Sequence, residues 1–360
     1  MAKKIAVVLF NLGGPDQTDS IKPFLFNFFM DKNIIGAPLP IRYLLAKWIS
    51  ITRSKGEALD AYAQLGGKSP LLENTRVQAQ ALERSLERDF DGDIRCFISM
   101  RYWHPNSKTT AKQVQDWGPD KIILIPLYPQ FSTTTSYSSF EDWDKSCQKI
   151  GLTGIETAAL CCYPFQSGFV GASADLINHA WQKAAKSGHK MRLLFSAHGL
   201  PEKIIEKGDP YQWQCEESAR RIAEATGIKD LDWQICYQSR VGPLEWIKPS
   251  TDEALEKAAA DGVGVLVYPH AFVSEHVETL VEIEDEYRGK AEKLGIPYFD
   301  RVPTVSTHPK FIVGLKELVL QLAGQSGIVS FEGGPICPAG AKRCCQRQPY
   351  SKEFFEEIHA

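Results

Sequence analysis

Short apolar runs recur along the chain and alternate with longer segments whose apolar residues fall at helical spacing. Six such runs predict β-strands: Ile5–Phe10, Arg95–Ser99, Lys121–Tyr128, Met191–Ser196, Asp232–Tyr237 and Val263–Pro269. Segments such as Leu71–Phe90 and Glu216–Thr226 predict helices between them. Runs without polar alternation, separated by helices, are typical of parallel strands buried on both faces. Right-handed crossovers between such strands predict a layered α/β fold.

Two pairs of segments resemble each other and indicate two similar domains. Ala6–Pro15 resembles Arg192–Pro201, and Ile123–Phe131 resembles Val265–Phe272. The offsets of 186 and 142 residues differ, which argues against a short repeat array. We therefore predict Rossmann-like domains at 1–170 and 171–325 and a cysteine-bearing extension at 326–360. It is left open whether a helix near Pro309–Leu322 packs on the first domain. Ligands of such sheets bind beyond the carboxyl ends of the strands, so chemistry is expected there.

Composition excludes several classes of protein. The net charge of -3 disfavours nucleic acid as a partner. The longest apolar run, Ile122–Tyr128, is far shorter than the ~20 residues of a membrane span. The apolar run Ile5–Phe10 is too short for the core of a signal peptide, and no cleavage site follows it, so we expect a cytoplasmic protein. Nine cysteines are too few for a disulfide scaffold, so we expect thiols or metal ligands. No phosphate-binding or dinucleotide motif follows a predicted strand, so no organic cofactor is expected.

Two segments carry candidate chemistry. His198 follows a predicted strand and precedes a Gly-Leu-Pro turn, where an imidazole can accept a proton or bind a metal. The segment Val273–Tyr287 predicts an amphipathic helix with Ser274 as its N-cap. Five of its acidic residues share one face: Glu275, Glu278, Glu282, Asp285 and Glu286. A hydrogen-bonded loop histidine and a solvated acidic face are the alternatives to a path that attracts and passes a cation.

Eight motifs, taken together, resemble the ferrochelatases, enzymes that insert ferrous iron into a porphyrin. They are Asn11–Pro15, Gly66–Pro70, Met100–Tyr102, Leu127–Gln130, Ser196–Pro201, Gly208–Tyr211, Tyr237–Pro243 with Trp246, and Ser274–Leu280. The resemblance runs from Asn11 to about residue 320 and is to bacterial members that have a C-terminal cysteine extension.

The resemblance implies a catalytic pair, His198 and Glu278, that faces an active-site cleft between the two domains. His198 is expected to accept protons or bind Fe²⁺, and Glu278 to bind Fe²⁺; the order of these events is left open. Glu282, and then Asp285 or Glu286, would continue an ion or proton path along a helix that in this family contains a π-bulge. His276 is expected to point to a different face and to play a supporting role.

The resemblance also implies a mostly apolar porphyrin pocket with a few polar anchors. The residues expected to line or support it are Leu12, Tyr62, Arg101, Tyr102 and Trp246. Ser69 is expected to hydrogen-bond a propionate. The apolar, proline-broken segment Ile35–Leu45 is expected either to face a membrane or to be buried in the core.

Some members of the family hold a [2Fe–2S] cluster by three cysteines of the extension and a fourth upstream. Here the three are Cys337, Cys344 and Cys345, and the fourth is Cys162, with Cys161 as the alternative. A stabilising or sensing role is expected for the cluster, and four ordinary thiols are the alternative reading.

The resulting hypothesis is a cytoplasmic lyase that inserts Fe²⁺ into protoporphyrin IX in the last step of haem biosynthesis, with a location peripheral to the membrane left open. A coproporphyrin ferrochelatase, an iron–sulfur sensor with an inactive chelatase site, and a chelatase for another tetrapyrrole are the alternatives. A homodimer and a weak contact with the membrane surface are left open.

Overall fold

The computed structural model describes residues 3–239 and 244–347, and the chain divides into two compact units. The first unit comprises Met1–Cys162, Leu315–Ile336 and Cys345–Ala360, and the second comprises Tyr163–Gly314 and Cys337–Cys344. The part of the predicted Tyr237–Pro243 motif from Arg240 onward lies outside the described residues.

The first unit is built on a parallel sheet with strand order β2-β1-β3-β4-β9. Its strands are β1 (Lys4–Asn11), β2 (Asp93–Met100), β3 (Lys121–Pro126), β4 (Glu156–Leu160) and β9 (Gly327–Val329). Its helices before the second unit are α1 (Ile21–Phe29), α2 (Leu39–Arg53), α3 (Glu57–Gln64), α4 (Leu71–Leu86), α5 (Ser107–Trp117) and α6 (Ser136–Ile150). Crossover helices between parallel strands account for this alternation.

The second unit has a parallel sheet with strand order β6-β5-β7-β8. Its strands are β5 (Met191–His198), β6 (Trp233–Gln238), β7 (Gly264–Tyr268) and β8 (Phe299–Arg301). The helices are α7 (Ser167–Ala185), α8 (Glu202–Glu206), α9 (Tyr211–Thr226), α10 (Thr251–Ala260), a π-helix (Glu278–Tyr287) and α11 (Arg288–Lys293). Helix α12 (Pro309–Ala323) contains the boundary Gly314/Leu315 between the units.

The predicted fold class, two similar α/β units with parallel sheets, is confirmed. The order β2-β1-β3-β4 of the first unit repeats as β6-β5-β7-β8 in the second. The two sequence echoes therefore pair strands at equivalent positions, β1 with β5 and β3 with β7. In both sheets the chain reverses direction across the sheet between these two strands, which is where such folds bind ligands.

Apolar strands form the centre of each unit. Residues Ile5–Phe10 of β1 and the whole of β7 are buried, as expected for parallel strands covered by helices on both faces. Across the described residues, we find no helix whose length and apolar character would let it cross a membrane.

Candidate active site

His198 is the last residue of β5 and lies at the carboxyl end of the second sheet. Its Nδ1 lies 2.7 Å from the carbonyl oxygen of Gly199. Because a carbonyl oxygen can only accept, Nδ1 carries the proton of the neutral ring and Nε2 is left as the acceptor. The Tyr211 hydroxyl donates to the carbonyl oxygen of His198 at 3.1 Å and so restrains the backbone behind the ring. This local structure prepares Nε2 to accept a proton or to bind a metal ion.

The acidic segment that follows β7 forms a π-helix over Glu278–Tyr287. In a π-helix each amide bonds the carbonyl five residues back, so one turn contains slightly more than four residues. The expected π-bulge is thus a longer π-helical stretch of ten residues. The prediction of Ser274 as N-cap is wrong, because the position before the π-helix is Val277. The carbonyl oxygen of Ser274 instead lies 3.1 Å from Nδ1 of His276.

The Glu282 carboxylate is held by groups at the end of β6 and on its own helix. Ser239 Oγ donates to Oε2 at 2.7 Å, and Gln238 Nε2 donates to the same oxygen at 3.2 Å. The Tyr287 hydroxyl lies 3.4 Å from Oε1. Ser196 Oγ donates to Gln238 Oε1 at 2.7 Å and so orients the Gln238 amide. A chain of hydrogen bonds therefore runs from β5, the strand of His198, to Glu282.

Charge couples the carboxylates of this helix. Burial raises the pKa of Glu282, and the charge of Glu278 raises it further, while the Ser239 hydrogen bond and His198 lower it. The charge of Glu286 also raises the pKa of Glu282. Of the two predicted continuations of the acidic line, Glu286 is the one that acts on Glu282. The wide turn agrees with this, because Glu286 follows Glu282 by four residues, which is close to one π-helical turn, whereas Asp285 follows it by three.

His276 lies closer to this site than its position in the sequence indicates. Its Nε2 is 3.8 Å from Oε2 of Glu278, so the prediction that it points to a different face is wrong. Because Nδ1 donates to the Ser274 carbonyl, Nε2 of the neutral ring is left to face Glu278. The ring of Phe272 packs against the His276 ring at a centroid distance of 4.5 Å. His276 is thus a close neighbour of Glu278, but its unprotonated Nε2 offers that carboxylate no hydrogen bond.

In the first unit, Arg101 and Tyr102 follow β2, but their polar groups bind protein partners. Arg101 Nη2 lies 3.0 Å from Asp31 Oδ2, and the Tyr102 hydroxyl lies 2.8 Å from the same oxygen. Ser138 Oγ also donates to Asp31 Oδ2 and accepts from Arg101 Nε at 2.7 Å. Burial disfavours the charged form of Asp31, yet Arg101 and the donated hydrogen bonds hold its pKa below the usual value. The polar groups of both predicted pocket residues are therefore bound within the first unit, to Asp31 and Ser138.

Two other predicted pocket residues of the first unit, Leu12 and Ser69, lie on loops at the same end of its sheet. The backbone N–H of Tyr102 donates to the carbonyl oxygen of Leu12 at 3.0 Å. The N–H of Ser69 donates to the carbonyl oxygen of Pro15 at 2.8 Å. A Cβ at Gly14 would lie 2.5 Å from Ser69 Oγ, so only glycine permits this approach. Tyr62, on α3, is buried.

Trp246 belongs to the second unit and packs against the turn that follows His198. A Cβ at Gly199 would lie 3.2 Å from ring atom Cε3 of Trp246. The N–H of Ile247 donates to the carbonyl oxygen of Leu200 at 3.0 Å. The predicted pocket residue of this unit is thus placed beside its predicted catalytic histidine.

Comparison with known proteins agrees with this arrangement. The family model Ferrochelatase matches residues 4–323. The chain belongs to the ferrochelatase family. It is 48% identical over 354 residues to the ferrochelatase of Hyphomonas neptunium, covering 97% of this chain and 96% of that one. It is 49% identical over 350 residues to the ferrochelatase of Caulobacter vibrioides (strain NA1000 / CB15N), covering 97% and 99%.

A solved structure supports the fold. SirB from Bacillus subtilis with Fe³⁺ matches 89% of this chain and 96% of its own, with a TM-score of 0.51 and 11% identity. At that identity the likeness concerns the fold alone. Membership in the ferrochelatase family makes this chain an enzyme of metal insertion, with Fe²⁺ as a substrate.

All three cysteines of the ferrochelatase extension are buried, and two of them, Cys344 and Cys345, lie beside Cys161, the residue that follows β4. The sulfur atoms of Cys161, Cys344 and Cys345 lie within 4.8 Å of one another, and we call these residues the three-cysteine group. Within it, Cys161 and Cys345 form a disulfide. Cys337 accepts a hydrogen bond from Gln214 Nε2 at 3.1 Å. Within the described residues Cys162 is buried but is not a member of the three-cysteine group. Of the two predicted fourth ligands, Cys161 is the one whose sulfur lies beside those of Cys344 and Cys345.

Helix α2 has an unusually apolar surface. Six of its large apolar side chains are between 39% and 66% exposed: Leu39, Ile41, Tyr43, Leu44, Leu45 and Trp48. The helix contains Arg42, Lys47 and Arg53 and no acidic residue. Of the two expectations for this region, the structure has the side chains on the surface and not in the core.

Sequence reasoning missed several residues that shape the site. Asp31 and Arg301 each bind partners from other elements, and neither lies in one of the quoted motifs. Asp31 carries a usable signal, because it is the one acidic residue among the apolar residues of Ile21–Ile35. No sequence signal marks Arg301, because its strand, β8, has only three residues and is too short to be predicted.

Proposed function

We propose that this chain inserts Fe²⁺ into protoporphyrin IX and forms protohaem. The observation that carries the proposal is the pairing of a proton-accepting Nε2 on His198 with a line of carboxylates in the same unit. Insertion replaces the two pyrrole N–H protons by one Fe²⁺, so two protons leave for each metal that enters. A ferrochelatase therefore needs both a base at the porphyrin and an acidic route for ions.

His198 is proposed to act at the porphyrin. The hydrogen bond to Gly199 leaves one lone pair on Nε2, which can take a pyrrole proton or contact iron, but not both at once. The Tyr211 contact and the packing of Trp246 on Gly199 hold this turn in place. We place Glu282 on the route by which this proton leaves, since His198 and Glu282 interact electrostatically within the same unit.

Glu278 and Glu282 are proposed to bind and pass the cation. Two protein ligands leave a metal ion coordinatively open, which suits an ion in transit. Burial and mutual repulsion raise the pKa of Glu282, so this carboxyl takes up a proton more readily than an ordinary glutamate. The arrival of a divalent cation offsets that repulsion, and its departure into the porphyrin restores it.

We further propose that the extension holds a [2Fe–2S] cluster, with Cys161 as the upstream ligand. Thiolates are the ligands that such clusters use. The three-cysteine group Cys161, Cys344 and Cys345, once the Cys161–Cys345 disulfide is reduced to two thiolates, would provide that donor set together with buried Cys337. When bound, the cluster would cross-link the extension to the end of β4. The chelation chemistry proposed for His198 and Glu278 does not use the cluster, which favours a stabilising or sensing role.

We also propose that α2 rests on the membrane surface, with the protein otherwise in the cytoplasm. A basic helix with exposed Leu and Trp side chains is the pattern of helices that lie in the headgroup region. Such a contact would let an apolar porphyrin reach the enzyme without crossing water.

The test is an anaerobic assay of the purified protein with Fe²⁺ and, separately, protoporphyrin IX and coproporphyrin III. Wild type is expected to metallate protoporphyrin faster, and His198→Ala is expected to lose activity by at least about 10²-fold, the lower range of general-base effects. His189→Ala, which removes an exposed histidine, is the matched control and should keep wild-type activity.

Each other outcome changes the proposal. Faster metallation of coproporphyrin would reassign the substrate. Normal turnover by His198→Ala would remove this histidine from the reaction. A cluster spectrum without metallation of either porphyrin would favour the sensor hypothesis.

A further inference from the structure

Arg301, the last residue of β8, binds two carboxylates of the acidic segment. Its Nη1 lies 3.0 Å from both carboxylate oxygens of Glu275, and its Nε lies 2.9 Å from Oε2 of Glu284. The Arg301 side chain is only 10% exposed. Its backbone is fixed by the pairing of Val267 with Arg301 in the sheet. One cation thus connects a rigid strand to a residue before the π-helix and a residue within it.

Glu275 joins Arg301 to the start of the helix. The N–H of Thr304 donates to Glu275 Oε1 at 2.9 Å, and the Thr279 hydroxyl donates to Oε2 at 2.5 Å. Thr279 also accepts from the N–H of His276 at 3.0 Å. Burial disfavours the charge on Glu275, but Arg301 holds its pKa below the usual value. Glu275 was predicted to belong to the acidic path, and instead it anchors the helix.

A π-helix of this length requires contacts from outside the helix to stabilise it. Regular π-helices beyond a single turn are rare, and uncommon backbone conformations persist only where the surroundings fix them. This one extends over ten residues and sets which side chains share its Glu278 face. A return to α-helical geometry would rotate Glu282 and Glu286 away from their present alignment with Glu278.

We propose that Arg301 is a positioning residue: by bridging Glu275 and Glu284 it holds the π-helix that presents Glu278 and Glu282. The inference rests on the proposed role of those two carboxylates. Arg301 acts from the other side of the helix, since the hydrogen-bond partners of Glu282 are Gln238, Ser239 and Tyr287. Loss of the bridge should therefore disturb iron delivery and leave porphyrin binding intact.

The test compares three variants in the iron-insertion assay. Arg301→Met keeps the length of the side chain and removes both ion pairs, and we expect kcat/KM for Fe²⁺ to fall toward the ~100-fold loss that a ~1 Å misplacement of reacting groups causes. The KM for porphyrin should stay within about twofold. Arg301→Lys keeps the charge but not the planar fork, so it should recover part of the loss.

Arg288→Gln is the matched control. Arg288 also pairs with Glu284, and it donates to the Phe299 carbonyl oxygen at 2.8 Å, but its contacts do not include Glu275. Its kcat/KM for Fe²⁺ is expected to stay within a few-fold of wild type. An equal loss in Arg288→Gln and Arg301→Met, or wild-type iron kinetics in Arg301→Met, would overturn the proposal.

A second measurement does not depend on activity. Hydrogen exchange of peptides covering residues 278–287 should be at least about tenfold faster in Arg301→Met than in Arg288→Gln, because opening of this helix is then less costly. Unchanged protection in Arg301→Met would refute the anchoring role even if wild type metallates porphyrin. An inactive wild type with strongly altered exchange in Arg301→Met would refute the proposed function and retain the anchor.

Discussion

Replacing Asp31 with asparagine removes one charge from the interior of the first unit and keeps the shape of the side chain. Asp31 follows α1, and its side chain is 2% exposed against 17% for Arg101. Its Oδ2 accepts from Arg101, Tyr102 and Ser138, and its Oδ1 accepts from the N–H of Asn33 at 2.8 Å. Asparagine can offer an acceptor on only one of these two sides, so a donor must face a donor on the other.

The size of the loss follows from the burial of the pair. Removal of one partner from a buried ion pair costs about 3–5 kcal/mol, because the other charge stays buried without compensation. Arg101 keeps Ser138 and a distant carboxylate, that of Asp142 at 3.8 Å, which places the expected loss near ~3 kcal/mol. For a unit of this size that corresponds to a fall in Tm of roughly 6–12 °C.

The assay is urea unfolding of wild type and Asp31→Asn, followed by fluorescence and circular dichroism. Asp116→Asn, which removes one partner of an exposed ion pair with Lys112, is the matched control and should change stability by less than about 0.5 kcal/mol. A loss below about 1 kcal/mol in Asp31→Asn would refute the reasoning, since it would mean that the charge of Asp31 stabilises little.

The pH dependence provides an independent check. The pKa of Asp31 is lowered in the fold, so the native state binds fewer protons there than the unfolded chain, and stability from this group rises with pH. The difference between wild type and Asp31→Asn should be complete and constant from pH 8 down to about pH 5. It should shrink below the unfolded value near 3.8, as the pH falls through the lower pKa of the folded state. A difference that vanishes already near neutral pH would contradict this assignment.

Two further predictions concern the extension and α2. Anaerobically purified Cys345→Ser and Cys161→Ser should lose the visible absorption of a [2Fe–2S] cluster. Cys162→Ser and the control Cys236→Ser should keep it. Loss of the absorption in Cys162→Ser, but not in Cys161→Ser, would make Cys162 the fourth ligand. Leu44→Glu with Trp48→Glu should reduce co-sedimentation with anionic lipid vesicles by at least about tenfold, because each exposed apolar side chain contributes ~1.5–3 kcal/mol when buried. Val77→Glu, at an exposed position on α4, should bind like wild type, and equal binding by all three proteins would remove α2 as the membrane contact.

The strands that sequence could predict are the long apolar ones at the centre of each sheet. All six predicted strands are present, and each differs from the structure by at most two residues at either end. The strands β4, β8 and β9 were not predicted. Two of them, β8 and β9, have only three residues and lie at sheet edges, so neither length nor a continuous apolar run distinguishes them from loops.

The candidate site divides in the same way. His198 could be predicted because a histidine at the end of a buried strand is a local signal, and the order of motifs made the family recognisable. The alignment of Glu286 with Glu282 could not, because the choice between α- and π-helical turns depends on contacts outside the helix. At α-helical spacing, Asp285 and Glu286 are equally good candidates for the next carboxylate after Glu282.

Asp31 and Arg301 show why such contacts escape a reading of the sequence. Each is a single charge that meets partners from other elements: Asp31 binds Arg101 across 70 residues, and Arg301 binds Glu275 across 26. Neither pair has a spacing that helices or strands impose, so no local pattern marks it. Their effect is nevertheless on residues that motifs do mark, since Asp31 occupies the polar groups of Arg101 and Tyr102, and Arg301 holds the helix of Glu278. A substitution at either position should therefore act like a partial loss of the motif itself, although the motif residues remain unchanged.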